Sequence, residues 1–206
     1  MSKVLCCFAP GLEECEGLVS VDLLRRAGIE VTIAAVSTER RIVGAHGVAI
    51  ECDALLTEVD CSDFDALLLP GGMPGTENLF ESEIVRALAS DYAEAGRIVA
   101  AICAAPTVLG RLGILKNRRA TCYPGCEDRL FAAEVVDADV VRDGNIITGR
   151  ALGAAIPFAL EVIAALEGPE KAQTVKSSIV YNQPFFLRKA SALGNSSFRS
   201  RSKYIC

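Results

Sequence analysis

The chain has 206 residues, 51% of them apolar, which is enough to bury one large core and predicts a single domain over residues 1–182. Its net charge is −5, and because residues 183–206 hold five basic and no acidic side chains, residues 1–182 carry about −10. Such an acidic body disfavours nucleic acid and anionic membranes as main partners, since both require a concentrated positive surface.

The cysteines and the N-terminal apolar stretch indicate the compartment. The nine cysteines are unevenly spaced, and Cys6 and Cys7 lie inside an apolar run that is typical of a buried strand. This pattern favours a reducing compartment over a disulfide scaffold. The stretch Val4–Ala9 ends at Pro10 and Gly11 and is followed by acidic residues, so it is neither a signal peptide nor a membrane span. We therefore expect a cytoplasmic protein.

The first elements in chain order form a βαβ unit. Val4–Phe8 has the length and composition of a buried strand, Glu14–Ala27 has a helical pattern, and Val31–Val36 is a second strand. The elements predicted after this unit are a strand at Ala66–Leu69, a helix at Ile84–Ala95, a strand at Arg97–Ile102, a helix after Ala105, a hairpin of Val135–Arg142 and Asn145–Thr148, and a helix at Gly153–Leu166.

Two segments have a more specific interpretation. Asp143-Gly144 is a strong two-residue turn signal and predicts the tip of the hairpin. Residues 183–206 are rich in Ser, Asn and Arg without periodicity, which predicts a loosely ordered basic extension.

Continuous apolar strands define the fold class. A strand such as Ala66–Leu69 is apolar at every position, which implies burial on both faces and a mainly parallel sheet covered by helices. The chain is therefore predicted to be a three-layer α/β sandwich of the flavodoxin-like type. Reactive groups of such sheets lie at the carboxyl ends of strands. Gly11, the pair Gly71 and Gly72, and Cys103 all follow predicted strands.

Cys103 stands where a buried strand turns at once into a helix. The unpaired N–H groups of a helix's first turn favour an anion, so a thiolate is expected there. The small residues Ala101, Ala104 and Ala105 permit the sharp turn, or elbow, that would hold a nucleophile away from the sheet. The spacing alone leaves open the alternative of an ordinary core cysteine.

Three motifs carry a resemblance to a known family. They are Ala100–Pro106 around Cys103, Leu69–Gly72 upstream of it, and Ala9–Glu16 near the start of the chain. Over about residues 3–180 the chain resembles the ThiJ/PfpI superfamily, and within it the branch of the Parkinson-associated protein deglycase and its bacterial ThiJ-like relatives. This resemblance implies the same fold, a homodimer, and a small reactive carbonyl compound as substrate, with no cofactor and no metal.

The resemblance also implies roles for individual residues. The nucleophile of the family falls on Cys103, and the carboxylate that hydrogen-bonds its sulfur falls on Glu16. The backbone amides of an oxyanion-type pocket fall on Gly72 and Ala104, with Gly71 beside them. From the residues alone, Glu16 is equally a solvated acid in the first turn of a helix.

The chain departs from the family at two places. Where this branch often has a histidine near the cysteine, the chain has Tyr123, and its single histidine, His46, lies elsewhere. A Cys–His dyad is therefore missing, which counts against peptidase and amidotransferase chemistry. Arg150–Ala154 stands where relatives commonly carry Gly-Pro-Gly-Thr, which leaves the substrate range open. Tyr123 and Cys122 are predicted neighbours of the pocket.

Two functions are compatible with these residues. The first is a glyoxalase III or protein deglycase-like enzyme, a hydro-lyase or hydrolase, in which Cys103 adds to a 2-oxoaldehyde such as methylglyoxal and Glu16 transfers protons. The alternative is a non-enzymatic oxidative-stress sensor or redox-regulated chaperone that acts through oxidation of Cys103. Cys122 and Cys126 are either resolving thiols for Cys103 or two ordinary loop cysteines.

Overall fold

The computed structural model describes residues 1–182, and the predicted extension at 183–206 lies outside them. The described strands are β1 (Lys3–Phe8), β2 (Glu30–Ala35), β3 (Arg41–Val43), β4 (Ala49–Glu51), β5 (Ala54–Leu55), β6 (Ala66–Leu69), β7 (Ile98–Ile102), β8 (Arg119–Ala120), β9 (Glu134–Val135), β10 (Val140–Asp143) and β11 (Ile146–Gly149). The described helices are α1 (Glu14–Arg26), α2 (Gly75–Glu81), α3 (Glu83–Glu94), α4 (Pro106–Arg111), α5 (Ala155–Glu167) and α6 (Pro169–Ser178).

A seven-stranded sheet forms the middle layer, with the strand order β10-β11-β7-β6-β1-β2-β5. Neighbouring strands are parallel except for β10, which pairs antiparallel with β11 at one edge. The predicted mainly parallel sheet is therefore confirmed. The central strands β6 and β7 are apolar at every position because both faces of the sheet are covered.

Alternate residues of β1 show how the two faces are filled. Val4, Cys6 and Phe8 pack into one core cluster, together with side chains of α1, α5 and α6. Leu5 and Cys7 point the other way, into a second cluster with side chains of α2, α3 and α4. This alternation follows from the two-residue period of a strand. The result is the predicted three-layer sandwich, with helices on both sides of the sheet.

The strand order reverses at β1. The chain goes from β1 to β2 on one side, and later returns to place β6 and then β7 on the other side. The loops after β1 and β6 meet at this point, where Glu13 donates its N–H to Gly71 O at 2.8 Å and Gly75 donates to Gly11 O at 3.0 Å. A crevice at the carboxyl ends of strands is expected where the order reverses.

The predicted hairpin strand at Val135–Arg142 is wrong in its first half. Val135 ends β9, which pairs with β8 in a separate two-stranded sheet, and the strand of the hairpin begins only at Val140. The turn is also displaced by one residue. Asp143 pairs with Ile146, so the two loop residues are Gly144, at φ 61°, and Asn145. A positive φ at the first loop residue is the geometry of a type II′ turn, which explains glycine there.

The helix predicted at Gly153–Leu166 begins later. Leu152–Ala154 forms a 3₁₀ turn, and the α-helix starts at Ala155 and runs to Glu167. The sequence did not predict α2, α6 or the small β3–β4 hairpin. Within residues 1–182, no helix combines the length and the apolar character needed to cross a bilayer.

Candidate active site

Cys103 follows β7 directly and has a left-handed backbone conformation, with φ at 65°. A residue with a side chain is strained in this region and needs its neighbours to hold it there. Its N–H donates to Gly149 O at 2.9 Å, and its carbonyl oxygen accepts from Tyr123 N at 2.7 Å. The helix α4 begins three residues later, at Pro106. The predicted strand-to-helix elbow is therefore present, and Cys103 lies at its corner.

Glu16 reaches the same place from the first turn of α1. The residue is fully buried, and Gly71 donates its N–H to Oε2 of the carboxyl at 3.0 Å. The backbone N–H of Glu16 is capped by Oε2 of Glu13 at 2.7 Å. Oε1 of Glu16 is buried and makes no hydrogen bond of ordinary geometry with the described residues. One carboxyl oxygen is thus fixed to the backbone and the other is left over.

The Cys103 thiol and the Glu16 carboxyl are close enough to shift each other's pKa. Burial raises the pKa of Glu16 to about 7, although interactions of the carboxyl with the Cys103 thiol and with the N–H groups of Gly71 and Leu152 act to lower it. A carboxyl with this pKa exchanges its proton near neutral pH. Glu16 is therefore able both to accept and to donate a proton there.

The thiol of Cys103 differs from the expectation of a ready thiolate. Burial raises its pKa, and the charge of Glu16 raises it further. The N–H groups of Ala104 and Gly72 act in the opposite direction and lower the pKa of the thiol. Two adjacent buried groups cannot both be ionised cheaply, so the pair carries at most one negative charge. Ionisation of the sulfur therefore requires a proton on Glu16.

Two glycines leave room for this pair. A Cβ on Gly71 would lie 2.6 Å from the Cβ of Cys103 and 2.8 Å from Oε2 of Glu16. Gly72 has φ at 90°, and a Cβ there would lie 2.2 Å from the backbone nitrogen of Glu13. Only glycine lets the loop after β6 approach the thiol and the carboxyl this closely.

The two predicted pocket neighbours have different surroundings. Tyr123 is half-buried, binds the backbone of Cys103, and packs against the core cluster that contains Cys103. Cys122 belongs to the opposite cluster, where burial raises the pKa of its thiol to about 12. It lines a separate cavity of about 290 Å³ together with Glu127 and Arg150.

His46 pairs with a different acid. His46 lies in the turn between β3 and β4, and its Nδ1 is 2.8 Å from Oε2 of Glu14 in α1. The capping of α1 by Glu13, which accepts the N–H of Glu16, was not predicted from the sequence. An acidic residue immediately before a helix, three residues ahead of the N–H that it accepts, is a recognisable signal for such a cap. All the cysteines among residues 1–182 are unbridged.

The protein is a three-layer sandwich around a mainly parallel sheet, with a strained cysteine at the end of a central strand and a buried carboxyl beside it. These features define a class of flavodoxin-like α/β proteins with a cysteine elbow. The sequence model of the DJ-1/PfpI family matches residues 2–165. The chain therefore belongs to the DJ-1/PfpI family, as its motifs predicted.

Several relatives are similar over most of their length. The Drosophila melanogaster protein dj-1beta is 40% identical over 183 residues, which cover 87% of this chain and 98% of that protein. The Caenorhabditis elegans protein named glutathione-independent glyoxalase DJR-1.2 is 36% identical over 79% of this chain and 87% of its own. A structure described as Toxoplasma gondii DJ-1, oxidized, has a TM-score of 0.86 and 33% identity, and covers 89% of this chain and all of that one (100%).

Proposed function

We propose that the protein is a cofactor-independent, cysteine-dependent enzyme of the glyoxalase or deglycase type. Its substrates are 2-oxoaldehydes such as methylglyoxal, or their early adducts with thiols and amines. The observation that carries the proposal is the pair of Cys103 and Glu16, a buried nucleophile beside a carboxyl whose pKa is about 7. The name of the Caenorhabditis elegans relative supports the same reaction class.

The first step is the addition of Cys103 Sγ to the aldehyde carbon. Glu16, as carboxylate, accepts the thiol proton while the carbon–sulfur bond forms. The former aldehyde oxygen then takes this proton from Glu16, which returns to the carboxylate, and the adduct is a hemithioacetal. A thiol with a raised pKa needs this base, because only the thiolate is nucleophilic.

The second step moves a proton between two carbons. Glu16 removes the proton from the carbon bonded to sulfur, which gives an enediol, and returns a proton to the neighbouring carbon. The product is the thioester of a 2-hydroxy acid. The N–H groups of Gly72 and Ala104, which favour the sulfur anion in the free protein, stabilise the negative charge on the substrate oxygen.

Hydrolysis completes the reaction. Water attacks the thioester and releases the 2-hydroxy acid together with the free thiol of Cys103. Methylglyoxal and water thus give lactate, and no oxidant or reductant is consumed. In keeping with the family resemblance, we propose that the enzyme is a cytoplasmic homodimer, which light scattering of the purified chain would test.

Lactate formation from methylglyoxal tests the proposal directly. We expect turnover by the wild type, a loss of at least about 1,000-fold in Cys103→Ser, and a loss of at least about 100-fold in Glu16→Gln. Cys15→Ser is the matched control, because Cys15 is an exposed cysteine on α1 next to Glu16 in sequence. Free-aldehyde removal mimics deglycation, so the assay measures lactate rather than adduct loss. A wild type that forms no lactate would contradict the enzymatic function.

A second function, sensing of oxidants or redox control of a chaperone activity, uses the same residues. It is supported by the relative solved as an oxidized protein and by the carboxyl beside the sulfur. Peroxide converts a thiolate to sulfenic and then to sulfinic acid, and a protonated Glu16 is placed to donate a hydrogen bond to the oxidised sulfur.

The mass of the Cys103 peptide after mild peroxide treatment distinguishes the two functions. A clean gain of two oxygens without lactate formation favours the sensor, whereas turnover without oxidation favours the enzyme. A bond between Cys103 and Cys122 or Cys126 would identify a resolving thiol. The position of Cys122 in the opposite core cluster does not favour such a bond.

A further inference from the structure

Three potential metal ligands converge beside the N-terminus of α1. They are Oε1 of Glu13, Oε2 of Glu14 and Nδ1 of His46, and these atoms lie within 4.8 Å of one another. Nδ1 of His46 is 2.8 Å from Oε2 of Glu14 and 3.9 Å from Oε1 of Glu13. The acids come from α1 and its cap, and the imidazole comes from the turn between β3 and β4.

The second oxygen of each carboxylate is fixed to the backbone. Oε2 of Glu13 accepts the N–H of Glu16 at 2.7 Å, and Oε1 of Glu14 accepts the N–H of His46 at 2.7 Å and that of Val48 at 3.3 Å. Outer hydrogen bonds of this kind orient metal ligands in proteins. Each carboxylate is therefore held with its remaining oxygen towards the imidazole.

The turn that carries His46 is wrapped tightly around Glu14. A Cβ on Gly44 would lie 2.3 Å from the carboxyl atoms of Glu14, so only glycine permits this approach. The side chains of Glu13 and Glu14 are 13% and 4% exposed, whereas that of His46 is 70% exposed. The site thus consists of two carboxylates that are held by the backbone at its buried side and one imidazole at its exposed side.

We propose that Glu13, Glu14 and His46 form a binding site for a divalent transition metal ion of the Zn²⁺ type. Two carboxylates and one neutral imidazole are typical zinc ligands, and their charge balances that of the ion. Bond lengths of about 2.0–2.2 Å place tetrahedral ligands roughly 3.3 Å apart. This separation lies between the 2.8 Å from Nδ1 of His46 to Oε2 of Glu14 and the 3.9 Å from Nδ1 to Oε1 of Glu13.

Binding requires only a small rearrangement. The proton on Nδ1 leaves for Nε2 of the exposed ring or for solvent, and the freed lone pair of Nδ1 coordinates the ion. Three protein ligands leave a fourth position for water. Neither Cys103 nor Glu16 is a ligand, so this site is separate from the proposed active site. The spacing of residues did not predict this site, because His46 is 32 residues from Glu14.

The single histidine makes the test unambiguous. In the full chain without an affinity tag, the ring resonances of His46 are titrated with Zn²⁺ by NMR, and the affinity is measured by calorimetry. We expect the resonances to shift and to saturate at one equivalent. His46→Ala and Glu13→Gln each lower the affinity at least tenfold, and the exposed position of His46 leaves the fold of the first variant intact.

Glu39→Gln is the control for charge, because it removes one exposed acid ahead of β3 without removing a ligand. We expect its zinc affinity to match that of the wild type. Zinc that binds through cysteines alone would leave the His46 resonances unmoved and the affinity of His46→Ala unchanged. Either result would overturn the proposal.

Discussion

Tyr123 donates its backbone N–H to the carbonyl oxygen of Cys103 at 2.7 Å. Together with the bond from Cys103 N–H to Gly149 O, this contact holds the left-handed backbone of the cysteine from two sides. The hold depends on the backbone of residue 123 and not on its side chain. A tyrosine is therefore tolerated where members of this branch often have a histidine.

Tyr123→His tests that conclusion. Because the backbone bond survives, we expect the free energy of unfolding to change by no more than about 0.5 kcal/mol. We also expect lactate formation to stay within about threefold of the wild type, since Glu16 is the proposed proton carrier. Urea unfolding and the lactate assay measure the two quantities. A rise of tenfold or more in rate would show that an imidazole at this position replaces Glu16.

Gly71→Ala is expected to disrupt the site. Its Cβ would lie 2.6 Å from the Cβ of Cys103, so the loop or the cysteine must move. Overpacking of this kind costs about 1–3 kcal/mol of stability, and displacement of the reacting groups costs roughly 100-fold or more in rate. The control is Gly153→Ala, where a Cβ meets no atom within 4 Å. Equal losses in both variants would contradict the steric explanation.

Glu16→Gln is expected to alter how stability depends on pH. Burial raises the pKa of Glu16 from 4.5 in a model peptide to about 7 in the folded protein, so the folded state binds more protons between these values. This contribution to stability is complete below about pH 4.5 and is lost as pH rises through 7. The loss amounts to about 3 kcal/mol.

Unfolding in urea at pH 4.5 and pH 8 measures this effect. Between these pH values, we expect the wild type to lose about 3 kcal/mol more than Glu16→Gln does. Glu39→Gln, which removes an exposed acid, serves as the control and is expected to follow the wild type. Parallel curves for wild type and Glu16→Gln would mean that the carboxyl titrates alike in both states.

The rate of lactate formation is expected to rise with pH. The proposed mechanism uses Glu16 as carboxylate, and its pKa is about 7. The value of kcat/KM for methylglyoxal should therefore increase tenfold per pH unit well below pH 7 and level off above it. A profile measured in one mixed buffer at constant ionic strength tests this expectation. A flat profile from pH 5 to pH 8 would exclude Glu16 as the essential base.

Glu77 is expected to stabilise the layer of helices around α2 and α4. It accepts hydrogen bonds from Arg129 and, at 2.7 Å, from Arg111, which also stacks on Phe80. We expect Glu77→Gln to lower the free energy of unfolding by about 1–2 kcal/mol, because two charge-assisted bonds weaken.

Asp22→Asn is the comparison for Glu77→Gln. Asp22 forms an exposed pair with Arg26 on α1, and such pairs contribute about 0.5 kcal/mol or less. Denaturant unfolding of both variants measures the two losses in free energy of unfolding, which are then compared. A cost for Glu77→Gln no larger than that for Asp22→Asn would show that the two arginines act independently of the carboxyl.

The central strands and the elbow could be predicted from the sequence. Ala66–Leu69 and Ile98–Ile102 are apolar at every position, which is the pattern of strands in a parallel sheet that is covered on both faces. The end of the strand at Val135 and the start of the next at Val140 could not be predicted. Val135 pairs with β8, and β8 has only two residues, which is too short for a hydrophobic pattern to indicate a strand.

The residues of the candidate site were named from the sequence and the family resemblance, but the raised pKa of the Cys103 thiol was not expected. A helix terminus near Cys103 favours a thiolate, but the residues alone do not reveal how deeply the sulfur is buried, and only the family resemblance implied that Glu16 lies against it. Burial and the charge of Glu16 raise the pKa of the thiol. The metal-ligand group of Glu14 and His46 was missed for a related reason, because a tertiary contact between α1 and the β3–β4 turn creates it.

The reversal of strand order at β1 has a consequence for folding. Glu16 lies in α1 after β1, Gly71 and Cys103 follow β6 and β7, and Gly149 ends β11. These residues meet only when the four strands are aligned side by side. No fragment of the chain holds the constellation, so the reactivity of Cys103 towards an alkylating reagent reports on the assembled sheet as a whole. The thiol thereby serves as a built-in probe of cooperative unfolding.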